Sequence, residues 1–137
     1  MVIDDEQALV TLATATLVEL GYSAVGYTSS AKAIEAFLAK PDQFDAVITD
    51  ESMPGASGSD LIRRMRARRP ALPIVLVSGY LSAPVIERAR EAGATELLTK
   101  PLPARALAAV LEQVLGKART AGTNEPAPSK ATRKRSH

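Results

Sequence analysis

Phe44-Asp45-Ala46-Val47-Ile48-Thr49-Asp50-Glu51-Ser52-Met53-Pro54-Gly55-Ala56-Ser57-Gly58 passes from one kind of local structure to another twice. Phe44 to Thr49 is a short, nearly continuous apolar run, the pattern of a strand buried on both faces. It stops at Asp50. Glu51 to Ser57 carries the loop signals Pro54 and Gly55, and from Gly58 to about Arg69 the residues Leu61, Ile62 and Met65 recur at helical spacing.

The same alternation extends in both directions. Upstream, Val2-Ile3 begins a strand that ends at Asp4-Asp5-Glu6. Gln7 to Leu20 follows as a helix with Leu9, Val10, Leu12, Ala13, Leu17 and Leu20 inward, closed by Gly21 as C-cap. Ala24 to Thr28 is a second strand, and Ser29 or Ser30 caps a helix that runs to about Ala39 and is broken by Pro41-Asp42. Downstream, Pro73 to Val77 is an apolar strand ending in Ser78-Gly79, and Ala83 to Ala92 is a helix stopped by Gly93. Thr95 to Thr99 is a fifth strand ending at Lys100-Pro101, and Pro103 to about Leu115 is a last helix that Gly116 is expected to close. Five apolar strands alternating with five helices predict a doubly wound α/β domain, since parallel strands need crossover helices.

Composition agrees with one globular domain and narrows its chemistry. The 137 residues are 46% hydrophobic and 23% charged, and no run approaches the ~18 apolar residues that would cross a bilayer. No secretory leader is legible, so a cytoplasmic location is expected. The absence of cysteine excludes disulfides, cysteine-ligated metals and thiol catalysis, and leaves oxygen-ligated metals open. The net charge of +2 is unevenly placed. Residues 1–116 hold 11 Lys/Arg against 14 Asp/Glu, net −3, and residues 117–137 hold 6 against 1, net +5. The tail has no aromatic or large aliphatic residue, so it is expected to be a disordered extension of a domain spanning 1–116. The Arg63, Arg64, Arg66, Arg68 and Arg69 run reads as an exposed helix face, and with no aromatics interleaved it gives no specific nucleic-acid signal.

Ligands of doubly wound folds sit beyond the C-terminal ends of the strands. Those ends carry Asp4 and Asp5, Asp50, Ser78 and Lys100. Carboxylates gathered there repel, by about 4 kcal/mol for two charges ~4 Å apart at an effective dielectric near 20. A lysine offsets one charge and a hard divalent cation, for which Mg²⁺ fits, offsets the rest. An acidic pocket with a metal, a lysine and a hydroxyl is arranged for phosphoryl oxygens. Its nucleophile would be a carboxylate, because there is no Cys and the lone His137 ends the tail.

These residues resemble a known family. Ile3-Asp4-Asp5-Glu6, Val47-Ile48-Thr49-Asp50-Glu51-Ser52-Met53-Pro54 followed by Gly58 and Leu61, Leu76-Val77-Ser78-Gly79 and Leu98-Thr99-Lys100-Pro101 look like the receiver domain of two-component response regulators. The resemblance covers residues 1 to about 116 and implies a flavodoxin-like sheet in the order 2-1-3-4-5. It implies that Asp50 accepts a phosphoryl group from the phosphohistidine of a histidine kinase or histidine phosphotransfer domain. By the same resemblance Asp5 and Asp50 would ligate Mg²⁺ directly, Asp4 through water and Ser52 through its carbonyl. Ser78 would be the switch hydroxyl, Lys100 the phosphoryl counter-ion, Gly79 would leave room for the incoming group, and Lys100-Pro101 would be a cis peptide. Such a domain is no enzyme in its own right, although it assists its own phosphorylation and dephosphorylation.

Two departures from that pattern carry expectations. Leu97 stands three residues before Lys100, where the family has an aromatic, so signalling through the face of helix four, strand five and helix five is expected to be weak. Only Met1-Val2-Ile3 precedes the acidic pair, which predicts unpaired backbone groups on the neighbouring strands and a true start upstream. The segment Thr49 to Gly58, the Leu76 to Tyr80 strand end and the weak switch position look similar to receivers at the C-terminus of hybrid sensor histidine kinases, with a free-standing single-domain regulator or a phosphorylation-independent binding module as alternatives. A Mg²⁺-dependent phosphatase would need an acid two residues after the nucleophile, and position 52 is serine.

Overall fold

The computed structural model describes residues 1–122, and the backbone follows the expected alternation. In chain order the strands are β1 (Val2–Ile3), β2 (Gly26–Tyr27), β3 (Val47–Asp50), β4 (Ile74–Ser78) and β5 (Glu96–Thr99), and the helices are α1 (Gln7–Glu19), α2 (Ser30–Ala39), α3 (Gly58–Arg68), α4 (Ala83–Ala92) and α5 (Ala104–Gly122). The strands form one parallel sheet in the order β2-β1-β3-β4-β5.

Alternation along the strands divides the core in two. Ile3, Val47, Ile74 and Leu76 pack with Phe37, Leu61, Ile62, Met65 and Ala89, on the face covered by α2, α3 and α4. Val2, Ile48, Val75 and Val77 pack with Leu17, Leu107, Val110, Leu111 and Val114, on the face covered by α1 and α5. Burial from both sides is why β4 reads as an apolar run up to Ser78 and why Val47 and Ile48 of β3 are consecutive apolar residues. The order in which strands are added across the sheet reverses between β1 and β3, so the crevice beyond their ends is the switch point of the sheet.

Helix ends follow local chemistry. The Ser29 side chain caps α2 by accepting from the Lys32 amide at 3.2 Å. Ser57 and Asp60 form a reciprocal capping box at the start of α3. Gly93 ends α4 at φ +102°, a conformation that glycine adopts without the steric cost borne by other residues.

Four expectations are corrected. Leu12 is 64% exposed, because at about 100° per residue it lies roughly 200° from Val10, which faces the core. Gly116 does not close α5, which runs on to Gly122. One glycine within a helix costs only about 1 kcal/mol, and a helix-favouring Lys-Ala-Arg stretch follows it. Residues 117–122 of the basic tail are therefore helical, and the disorder expected of 123–137 lies outside the described residues. The short β1 pairs on both sides, with Val2↔Gly26 and Val2↔Ile48 in register, and the Met1 amino group donates to the Ala46 carbonyl at 3.1 Å.

The fourth correction concerns the arginine run. Arg63, Arg64 and Arg68 are exposed, but Arg66 and Arg69 are only partly so. The Arg66 guanidinium donates to the carbonyls of Pro70 at 3.0 Å, Leu72 and Gly93, and that of Arg69 donates to the carbonyls of Pro41 and Phe44. Their planar, multi-donor heads satisfy loop carbonyls that no strand or helix serves.

Candidate functional site

Four strand ends converge as the topology requires. Asp4 follows β1, Asp50 closes β3, Ser78 closes β4 and Lys100 follows β5. Asp4, Asp5 and Asp50 each offer a carboxylate oxygen, and these oxygens lie within 4.8 Å of one another. Asp4 and Asp50 are each 6% exposed, whereas Asp5 is open to solvent.

Lys100 bridges the two buried carboxylates. Its Nζ lies 2.9 Å from Asp4 Oδ2 and 3.2 Å from Asp50 Oδ1. Burial opposes its charge, but the bonds to Asp4 and Asp50 outweigh burial and hold its pKa above the ordinary lysine value. Asp50 moves upward as well: burial raises its pKa most, and repulsion from Asp4 adds to it against the opposing Lys100 bond. One lysine thus faces three carboxylates, and the cluster retains uncompensated negative charge. The other Asp4 oxygen accepts the Glu6 amide at 2.9 Å, so Asp4 also fixes the residue that leads into α1.

The Ser78 hydroxyl is committed elsewhere. Its Oγ donates to the Tyr80 carbonyl at 3.0 Å and accepts from the Tyr80 amide at 3.3 Å, which folds the exposed Gly79-Tyr80 turn back over the strand end. A Cβ on Gly79 would meet no atom within 4 Å, so the space beside it is open. The Lys100-Pro101 peptide is cis, and the Lys100 amide donates to the Ser78 carbonyl at 2.8 Å, fastening the end of β5 to β4. Leu97 is half-buried against the α2–α4 core, and exposed Ser52 lies in the loop two residues past Asp50.

That loop is held by contacts that the sequence alone does not show. Ser30 Oγ donates to the Pro54 carbonyl at 3.1 Å, and the Gly58 amide donates to the Glu51 carbonyl at 3.0 Å. Glu51, 3% exposed, accepts at Oε1 from the Ser59 amide at 2.8 Å and the Ser59 hydroxyl at 2.9 Å. Its Oε2 pairs with Arg88 of α4 at 3.3 Å. A charged residue in a loop-like stretch looks solvated in a sequence, and only the fold shows that it is buried. At Gly58 a Cβ would stand 2.3 Å from the Asp50 carbonyl oxygen, so α3 begins in direct contact with the backbone of Asp50.

A groove of about 640 Å³ opens beside the cluster between α1 and α5. Asp4, Asp50 and Lys100 form its polar end, and Leu9, Leu12 and Leu102 contribute to its apolar walls.

Comparison with known proteins agrees with this geometry. The response regulator receiver domain profile matches residues 1–112. The DNA-binding transcriptional regulator NtrC of Azospirillum brasilense is 36% identical over 115 residues, which are 84% of this chain and 24% of that protein. The transcriptional regulatory protein FixJ of Azorhizobium caulinodans is 30% identical over 128 residues, 93% of this chain and 60% of that protein. The chain thus spans only part of the length of these relatives. The crystal structure of a response regulator receiver domain protein from Clostridium thermocellum superposes with a TM-score of 0.82 at 27% identity, covering 88% of this chain and 95% of that one.

Proposed function

The chain belongs to the response regulator receiver domain family, and from that premise we propose that it is a phosphoacceptor in a two-component relay, with Asp50 receiving the phosphoryl group from a phosphohistidine. The observation that carries this reading is the buried Asp50 carboxylate, held against Lys100 and beside Asp4 and Asp5 at the switch point of the sheet.

In the proposed step an Asp50 carboxylate oxygen attacks phosphorus, an O–P bond forms as the N–P bond breaks, and the imidazole leaves with the bonding electrons. Lys100 already lies within 3.2 Å of Asp50 and would pair with a phosphoryl oxygen. The Ser78 hydroxyl would exchange the Tyr80 carbonyl for another phosphoryl oxygen. The uncompensated charge of the acidic cluster fits a hard divalent cation, which Asp5, Asp50 and the Ser52 carbonyl would hold directly and Asp4 through water. Bound Mg²⁺ would neutralise the charge that develops on the phosphoryl oxygens.

The donor would be a histidine kinase or histidine phosphotransfer domain on the cytoplasmic side. No helix among the described residues is long and apolar enough to cross a membrane. Placement of the receiver within a hybrid sensor kinase gains no support from the relatives, which are named as transcriptional regulators. The proposed chemistry is the same in either setting.

Intact-protein mass after incubation with acetyl phosphate and Mg²⁺ tests the reading. One phosphoryl adduct is expected, lost in Asp50→Asn and on chelation. An adduct that persists in Asp50→Asn would overturn the assignment.

A further inference from the structure

Asp50 and Glu51 are consecutive, so their side chains leave the end of β3 on opposite sides. Asp50 joins the acidic cluster at the head of the α1–α5 groove, and Glu51 reaches Ser59 of α3 and Arg88 of α4. Leu97 packs on that same α2–α4 face, without a ring that could report on the site. We propose that Glu51 is a positioning residue that links the phosphoryl site to α4 through Arg88, so that a change at Asp50 is transmitted to α4 along the β3 end.

Three features support the link. Glu51 is rigidly joined to the Asp50 backbone, because its carbonyl accepts from Gly58, its Oε1 accepts twice from Ser59, and Gly58 itself abuts the Asp50 carbonyl. The contact to α4 is, in contrast, a soft one: a single ion pair at 3.3 Å, with the glutamate side chain 4% and the arginine side chain 51% exposed. Only the arginine end is free to move in solvent, while Ser59 keeps hold of the buried Glu51 carboxylate, so a small displacement of Glu51 can remake or release the pair without unfolding the helix. Lastly, Ser78 and Tyr80 hold the turn that leads into α4, so the two ends of the connection bear on one element.

The inference rests on phosphoryl acceptance at Asp50, and the experiment separates the two. Hydrogen exchange of segment 83–92 is compared with and without beryllofluoride and Mg²⁺ in wild type, Arg88→Gln and Arg88→Lys, with acetyl phosphate labelling measured on the same samples. Arg88 is half-exposed and outside the acidic cluster, so Arg88→Gln is expected to fold and to accept the label. The exchange response of α4 is expected to fall on the order of twofold or more in Arg88→Gln, as single substitutions on a coupling route do, and to recover in Arg88→Lys. A purely structural role would change exchange in both states alike and leave the response intact, which overturns the link alone. Wild type that neither labels nor responds overturns the phosphoacceptor reading, and the link with it.

Discussion

Asp50 is a carboxylate that its surroundings partly disfavour in the charged form. Burial and Asp4 raise its pKa while Lys100 opposes them. With the folded pKa above the unfolded value of 3.8, the folded state binds more protons in the window between the two, and stability falls as pH rises through it. Asp50→Asn removes that penalty, and its Tm at pH 7 is expected to exceed that of wild type, by about 4–8 °C per kcal/mol relieved in a domain of ~100 residues. Thermal melts across pH 4 to 7 check this, and an Asn variant that melts lower contradicts it. Ser78→Ala is expected to keep the adduct and slow its formation about tenfold, the loss of roughly one hydrogen bond to the transferring group, as read by the labelling time course. That Asp4, Asp5, Asp50, Ser78 and Lys100 stand together at the strand ends was legible in the sequence, because those ends are marked by abrupt changes from apolar to polar. Glu51 and Arg66 were not, since burial of a charge is decided by elements far away in the chain.

At the level of elements, α3 is fixed at both ends by contacts that sequence periodicity does not show. Its first residue abuts the Asp50 carbonyl, so Gly58→Ala forces backbone apart. The gain of about 1 kcal/mol in helix propensity is expected to be outweighed by about 1–3 kcal/mol of overpacking. Urea unfolding should therefore show a net loss, with slower labelling because Asp50 moves. The last turn of α3 is held by Arg66, whose guanidinium serves the loop before β4 and the end of α4. Arg66→Met keeps much of the aliphatic stem and removes those bonds, and a loss of about 2 kcal/mol in unfolding free energy is expected. Element types were readable from periodicity, Gly and Pro. Ends were less so: α5 passes through Gly116, where a local stop signal lost to the propensity of its neighbours.

For the molecule as a whole, strand order was not derivable from periodicity alone, because the same alternation of strands and helices suits several parallel sheets. The family resemblance supplied the order, and the structure shows it. That order places uncompensated acidic charge at one end of the sheet, so ligand binding and folding are linked. Mg²⁺ is expected to raise the Tm of wild type, with about 2.7 kcal/mol gained at a hundredfold excess over Kd, and to do so less for Asp5→Asn, which removes a proposed ligand while leaving the buried pair of Asp50 and Lys100 in place. Equal Mg²⁺ shifts in both proteins would argue against Asp5 as a ligand.

The most direct measurement is to trap the acceptor chemically. Protein incubated with acetyl phosphate and Mg²⁺ is reduced with borohydride, which converts an aspartyl phosphate to homoserine, and the chain is sequenced by tandem mass spectrometry. Homoserine at position 50 alone, absent when Mg²⁺ is chelated, is the expected result. Homoserine at Asp4 or Asp5, or at no position in protein that carries a phosphoryl adduct, would contradict the assignment of Asp50 as the acceptor.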